Sequence, residues 1–132
     1  MDEVVLVDTG STDDTVAIAE RFGCRVFFHP WTGNFAEARN TGLDNATGEW
    51  ILYIDADECL SCPAGATLSD MISAAPPAAG YLVKFYPGVA TTAYEEYRVF
   101  RNDPRIRFVG AMHESIVPGL RRVCAEDDLP ML

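Results

Sequence analysis

Asp55-Ala56-Asp57 follows the apolar run Trp50-Ile51-Leu52-Tyr53-Ile54. On extended chain two carboxylates one residue apart project to the same side, and their hard oxygens suit Mg²⁺ or Mn²⁺. Open α/β sheets bind ligands beyond the carboxyl ends of their strands, where this pair falls. Asp8 likewise closes the apolar run Val4-Val5-Leu6-Val7. The sequence therefore predicts that Asp8 and Asp55 face one edge of a common sheet. Each has a plainer role too: a short acidic stretch solvates a loop, and Asp8 can accept hydrogen bonds from the amides of Gly10 or Ser11 in a turn. Arg39 can pair with Asp8 or hold a ligand's phosphate or base. His113-Glu114 lies beyond Ile106-Arg107-Phe108-Val109-Gly110, where the glycine predicts a bend. Glutamate is a candidate base there, and histidine ligates metals or donates to phosphate. GxSxG, P-loop and GxGxxG patterns are absent from the sequence.

The elements that must position these residues read in order. Val4 to Asp8 is a strand buried on both faces, and Ser11 or Thr12 is placed to cap a helix with Asp13 and Asp14 in its first turn. Thr15, Ile18, Ala19 and Phe22 share one face of that helix, Gly23 ends it, and Arg25 to Phe28 is the next strand. Helical spacing resumes at Phe35, Ala38, Gly42 and Ala46, with Arg39 and Asn40 beside the stripe. Trp50 to Ile54 is a further strand. Repeated βα units with continuous apolar strands predict a mostly parallel sheet covered by helices on both faces. A short helix is expected near Thr67 to Ala74, then alternating runs from Tyr81 to Tyr86 and from Tyr94 to Arg101 that suit antiparallel strands. Residues 120–132 carry no clear signal and are expected to fray. The fold class is α/β with an antiparallel, β-rich C-terminal part, and 1–132 reads as one domain.

Composition bounds the function. The 132 residues carry a formal net charge of -10 and are 48% hydrophobic, which excludes a disordered class and disfavours a nucleic-acid partner, since phosphate contacts need a basic face. No apolar run reaches a membrane span, and the acidic Met1-Asp2-Glu3 is unlike a secretory leader, so a cytoplasmic domain is expected. Cys59 and Cys62 have CxxC spacing, but Cys24 and Cys124 are isolated and three acids crowd the pair, so reduced thiols are expected rather than zinc or a redox couple.

Taken together, Val7-Asp8-Thr9-Gly10-Ser11-Thr12-Asp13-Asp14-Thr15, Ala38-Arg39-Asn40 and the block from Gly48 to Glu58 resemble the nucleotide-sugar-binding half of family-two glycosyltransferases of the GT-A fold. With Trp31, Asn34-Phe35 and Gly110-Ala111-Met112-His113-Glu114, the chain is similar to the bacterial lipopolysaccharide-core and peptide glycosyltransferases over about residues 3–117. The resemblance implies an inverting, metal-dependent transfer from a nucleotide-diphosphate sugar to a hydroxyl. Asp8 would contact the base or ribose, Arg39 would line the same pocket and Asp55 would approach the ribose. Asp57, with Asp55 and His113, would hold Mn²⁺ or Mg²⁺ against the diphosphate, and Glu114 would be the base. The acceptor would be a sugar, lipid or peptide, a lipid acceptor implying peripheral contact with a membrane.

Two departures from the family stand out. Thr9 replaces an Asp common in relatives, and the family's first strand and helix would precede Met1, between the strands ending at Asp8 and Asp55. Those two strands would then pair directly, accept a strand from another chain, or leave an incomplete piece. Alternatives follow: a non-catalytic nucleotide-sugar-binding module, or a module that forms homo-oligomers through exposed strands. A dehalogenase-like phosphotransferase also uses a strand-end DxD, but Cys59 stands where that class carries Thr or Val.

Overall fold

The computed structural model describes residues 2–86 and 92–132. β1 (Val5–Asp8) and β2 (Arg25–Phe28) pair in parallel, Val5 opposite Arg25 and Asp8 opposite Phe28, joined by helix α1 (Thr15–Arg21). Asp13, rather than Ser11 or Thr12, secures the start of α1: its carboxylate accepts from the Thr15 amide at 3.0 Å and the Thr15 hydroxyl at 2.6 Å. The expected apolar face is only partly used, because Ala19 is buried while Ile18 and Phe22 remain exposed.

Helix α2 (Phe35–Asn45) is capped by the Asn34 side chain and packs on β1. Its buried positions are Ala36 and Leu43, one step round from the predicted stripe, and Phe35 is exposed. Gly42 lies against Val7, where an added Cβ would sit 3.4 Å from the valine side chain. Glu3 fastens the start of β1 to the α2–β3 connection. One oxygen accepts from the Thr47 and Gly48 amides, and the other takes the Arg25 guanidinium at 2.6 Å.

The predicted mostly parallel sheet is corrected here. Parallel pairing of strands among the described residues is that of β1 with β2, beside one isolated parallel bridge between Gly80 and Met131. β3 is shorter than predicted, Trp50–Leu52, and lies antiparallel to β5 (Tyr94–Arg101), which also pairs antiparallel with β4 (Gly80–Phe85). An eight-residue β5 offers a hydrogen-bonding edge on each side, one taken by β4 and the other by β3. Asp8 therefore ends a strand of one sheet while Asp55 lies beyond the end of β3 in another, and β1 and β3 do not pair directly. The result is a mixed α/β fold with one parallel pair and one three-stranded antiparallel sheet. Between β3 and β4 runs the short helix α3 (Leu68–Ala74), closed at its start by a reciprocal Thr67–Asp70 capping box.

The tail is ordered, contrary to the fraying expected of 120–132. Helix α4 (Val117–Asp127) places Leu120 and Val123, both fully buried, in the core beside Phe100, Ile106, Phe108 and Ile116. Its apolar stripe is short and interrupted by Arg121, Arg122 and Glu126, which hides the helical period in the sequence. Arg105 anchors the far end through Glu126 at 2.9 Å and Asp127 at 2.6 Å. Gly119 allows α4 to rest on the Arg105–Arg107 backbone. Residues 130–132 then run beside β4, with Leu132 bonded to Gly80 and Leu82. No helix among the described residues is long and apolar enough to cross a membrane.

Candidate functional site

Four segments converge beyond the end of β3. α2 supplies Arg39, the post-β3 turn supplies Asp55 to Glu58, β5 supplies Glu96 and Arg98, and the loop after Val109 supplies His113 and Glu114. Asn40 explains how the last segment comes to lie beside α2. Its side-chain amide donates to the Phe108 carbonyl at 3.0 Å and accepts from the Phe108 amide at 2.9 Å, imitating a strand partner. Val109 and Ser115 exchange two backbone hydrogen bonds that close the base of the intervening loop. Within it Gly110 (φ 103°) and His113 (φ 54°) take left-handed conformations, and His113 is exposed. The predicted bend at Gly110 is present.

Arg39 is the bridge. Its Nη2 lies 2.8 Å from Asp55 Oδ1, and its Nε donates to Glu114 Oε1 at 2.5 Å, joining residues 75 positions apart. The guanidinium also lies over the Tyr53 and Phe108 rings, at 5.1 and 5.5 Å from their centroids. Burial disfavours its charge, but the bonds to Glu114 and Asp55 outweigh that and raise its pKa above the ordinary arginine value. Burial likewise raises the pKa of Tyr53, with the nearby Arg98 charge opposing the shift.

Arg98 was not singled out in the sequence. Its side chain is only 7% exposed and makes a two-pronged pair with Glu58 at 2.9 and 3.1 Å. It also reaches Glu96 at 3.0 Å and Asp55 Oδ2 at 3.5 Å, and lies 4.3 Å from the centroid of the Tyr53 ring. A signal was available: an arginine in the middle of an apolar alternating strand, if buried, needs carboxylate partners. Glu58 and Glu96 were present as neighbours of recognised features but carried no assigned role.

Asp55 and Asp57 do not lie on extended chain. The Glu58 amide bonds the Asp55 carbonyl at 3.0 Å, so Asp55-Ala56-Asp57-Glu58 is a tight turn. This corrects the expected same-side projection: Asp55 is turned into the two arginines, while Asp57 is exposed and makes no ion pair or side-chain hydrogen bond among the described residues. Asp8 stands apart from this network. Its carboxylate accepts from the Gly10 amide at 3.1 Å and the Ser11 amide at 3.2 Å, the turn role anticipated for it, and no bond joins it to Arg39. Hydrogen bonding from Ser11, opposed by partial burial and helped by Gly10, holds its carboxyl below the usual range. No three acid, histidine or cysteine side chains gather as a metal cage among the described residues. The four cysteines are free thiols.

Arg39, Tyr53, Glu96, Arg98, His113 and Glu114 line an open cavity of about 340 Å³. Such a cleft sets guanidinium groups already paired with carboxylates beside an exposed histidine and the Glu114 carboxylate, a group able to take a proton. The family model described as Glycosyl transferase family 2 matches residues 1–109. The chain belongs to glycosyl transferase family 2. It is 36% identical over 117 residues to a TPR repeat-containing protein of Synechococcus elongatus, a match covering 88% of this chain and 29% of that protein. It is 49% identical over 61 residues to an uncharacterized glycosyltransferase of Rickettsia felis, covering 46% and 21% of the two chains. To the SPbeta prophage-derived glycosyltransferase SunS of Bacillus subtilis it is 31% identical over 124 residues, covering 85% and 28%. This family 2 chain therefore spans less than a third of the length of these relatives.

Proposed function

We propose that this domain transfers a sugar from a nucleotide-diphosphate donor to an acceptor hydroxyl with inversion, aided by a divalent cation. The observation that carries the reading is Arg39 spanning Asp55 and Glu114, which ties the turn after β3 to the candidate base at a cavity that Arg39, His113 and Glu114 line. The mixed parallel and antiparallel strands suit the GT-A arrangement that the sequence resembles.

Charge supports the cation. Around the cavity two guanidinium groups, Arg39 and Arg98, face four carboxylates, Asp55, Glu58, Glu96 and Glu114. The excess is negative before Asp57 is counted, so a bare diphosphate would be repelled. Mg²⁺ and Mn²⁺ commonly use one or two protein carboxylates and complete their shell with substrate phosphate oxygens, so a protein cage is not required. Asp57, exposed and unpaired among the described residues, fits that role, with Asp55 two residues before it and His113 at the rim of the cavity. The cation would supply neutralisation of the charge that develops on the departing diphosphate.

The chain's own residues do the rest. Arg39 and Asp55 orient the donor, while Asp8, committed to its own turn and outside the Arg39 network, takes no part in that step. Glu114 Oε1 is held by Arg39, and no hydrogen bond falls on Oε2 among the described residues, so Oε2 is the atom that takes the acceptor proton. The hydroxyl oxygen attacks the anomeric carbon as the bond to the diphosphate breaks, in line and with inversion. The acceptor class is a sugar, lipid or peptide hydroxyl.

Calorimetry with Mn²⁺ and UDP, GDP, CDP, ADP and dTDP tests the donor site: at least one should bind only with the cation, and binding by none overturns the proposal. Glu114→Gln should keep that binding and lose transfer by roughly 10²-fold or more, the usual contribution of a general base. Undiminished transfer removes Glu114 from the role. Binding by the wild-type protein without transfer or donor hydrolysis would instead identify a binding module.

A further inference from the structure

β5 is not a regular strand. Tyr81 of β4 lies opposite Val99, but the next residue, Leu82, lies opposite Tyr97, so Arg98 is an extra residue with no partner on β4. A bulge of this kind bends the strand and re-aims one side chain. On the other side the Arg98 carbonyl still accepts from the Tyr53 amide at 3.1 Å, which fixes its backbone to the chain leaving β3. The re-aimed guanidinium meets Glu58 through two parallel hydrogen bonds. The same Glu58 Oε2 accepts from the Asp55 amide at 2.9 Å, and Arg98 reaches Asp55 Oδ2 directly. Glu96 takes the remaining Nε donor at 3.0 Å. The guanidinium also approaches the Phe85 ring centroid to 4.6 Å, so its side chain is walled by aromatic groups as well as by acids.

We propose that Arg98 is a positioning residue for the transfer reaction: from its bulge it grips Glu58, Glu58 grips the Asp55 amide, and this clamp sets where the tight turn presents Asp57. The inference rests on the assignment of Asp57 to the cation proposed above. Its guanidinium donors are committed to Glu58, Glu96 and Asp55, which makes it a brace behind the site rather than a hand for the diphosphate. Lysine cannot reproduce the brace, because an ammonium lacks the planar fork that matches a carboxylate at two points.

The test compares the wild-type chain with Arg98→Lys and Glu58→Gln, using two readouts. Hydrogen exchange at the Asp55 amide reports the clamp whether or not the domain binds a nucleotide. Exchange there should accelerate at least 10-fold in both variants, with the Phe100 and Leu120 amides unchanged. Mn²⁺ titration in the presence of a nucleoside diphosphate reports the consequence. The Mn²⁺ half-saturation should rise about 10-fold or more, in line with lost support behind a ligand, while nucleotide affinity at saturating Mn²⁺ stays within about twofold. Unchanged Asp55 exchange overturns the clamp, and an unchanged Mn²⁺ half-saturation overturns its role in positioning. If Arg98→Lys also loosens the core amides, Glu58→Gln alone decides, since it leaves the aromatic packing of Arg98 in place. A wild-type protein that binds no Mn²⁺–nucleotide refutes the function and the positioning role with it. Faster Asp55 exchange in that case would show the clamp alone to be real.

Discussion

Two glycines in two helices should respond in opposite directions to the same change. At Gly119 in the first turn of α4, an added Cβ would lie 2.8 Å from the Arg105 carbonyl oxygen, 2.8 Å from Ile106 Cα and 3.0 Å from the Arg107 amide nitrogen. All three are backbone atoms, so no side chain can swing away. The helix must instead lift from the Arg105–Arg107 segment, against Leu120 and Val123, which are fully buried. Overpacking of this kind costs about 1–3 kcal/mol, more than the helix-propensity gain of under about 1 kcal/mol from replacing glycine. At Gly42 in the middle of α2 the new methyl would meet only Val7 Cγ2 at 3.4 Å, an ordinary contact. There the propensity gain wins by roughly 0.5–1 kcal/mol. Gly119→Ala should therefore lower the thermal midpoint by roughly 2–8 °C, and Gly42→Ala should raise it by about 2–4 °C. Circular dichroism melts and urea titrations measure both. Midpoints that move in the same direction, or a Gly119→Ala protein as stable as wild type, would refute the close seating of α4.

Two further outcomes follow from local contacts. Hydrogen bonding from the Thr47 amide first, then from Arg25, draws the Glu3 carboxyl down from 4.5 to about 2, so its contribution to stability is present above about pH 4.5 and fades as pH falls towards 2. Glu3→Gln should lower the urea midpoint at pH 7 more than at pH 2.5, and an equal loss at both would dismiss the clasp. Thr67→Ala removes one half of the α3 capping box and should cost about 1 kcal/mol. Because α3 buries no residue, the loss should show as faster amide exchange within 68–74 rather than as a lower global midpoint.

Much of the fold was legible wherever a local pattern decided it. The apolar run ending at Asp8, the Gly23 stop and the alternation of β5 lie where the sequence put them, and β3 starts at Trp50 as expected but stops two residues short of Ile54. Partner choice was less legible, since an apolar run says that a strand is buried but not which way its neighbour runs; hence β3 was expected in a parallel sheet and pairs with β5 instead. α4 was missed because charged residues interrupt a stripe whose burial depends on a glycine contact with distant backbone. In the site, Arg39, Asp55 and Glu114 were named and do meet. Arg98 was overlooked because the bulge that re-aims it is a matter of register between β4 and β5, visible only when both strands are in place.

The pair of backbone hydrogen bonds between Val109 and Ser115 isolates the five residues between them as a cassette with fixed ends. Within it the Ala111 carbonyl accepts from the Phe35 amide at 3.0 Å and Glu114 holds Arg39, while Met112 stays exposed between Phe108 and Ile116, which are buried on either side of the joint. Evolution, or a designer, can thus retune what is admitted at the mouth of the cavity through Met112 while leaving those two fastenings untouched.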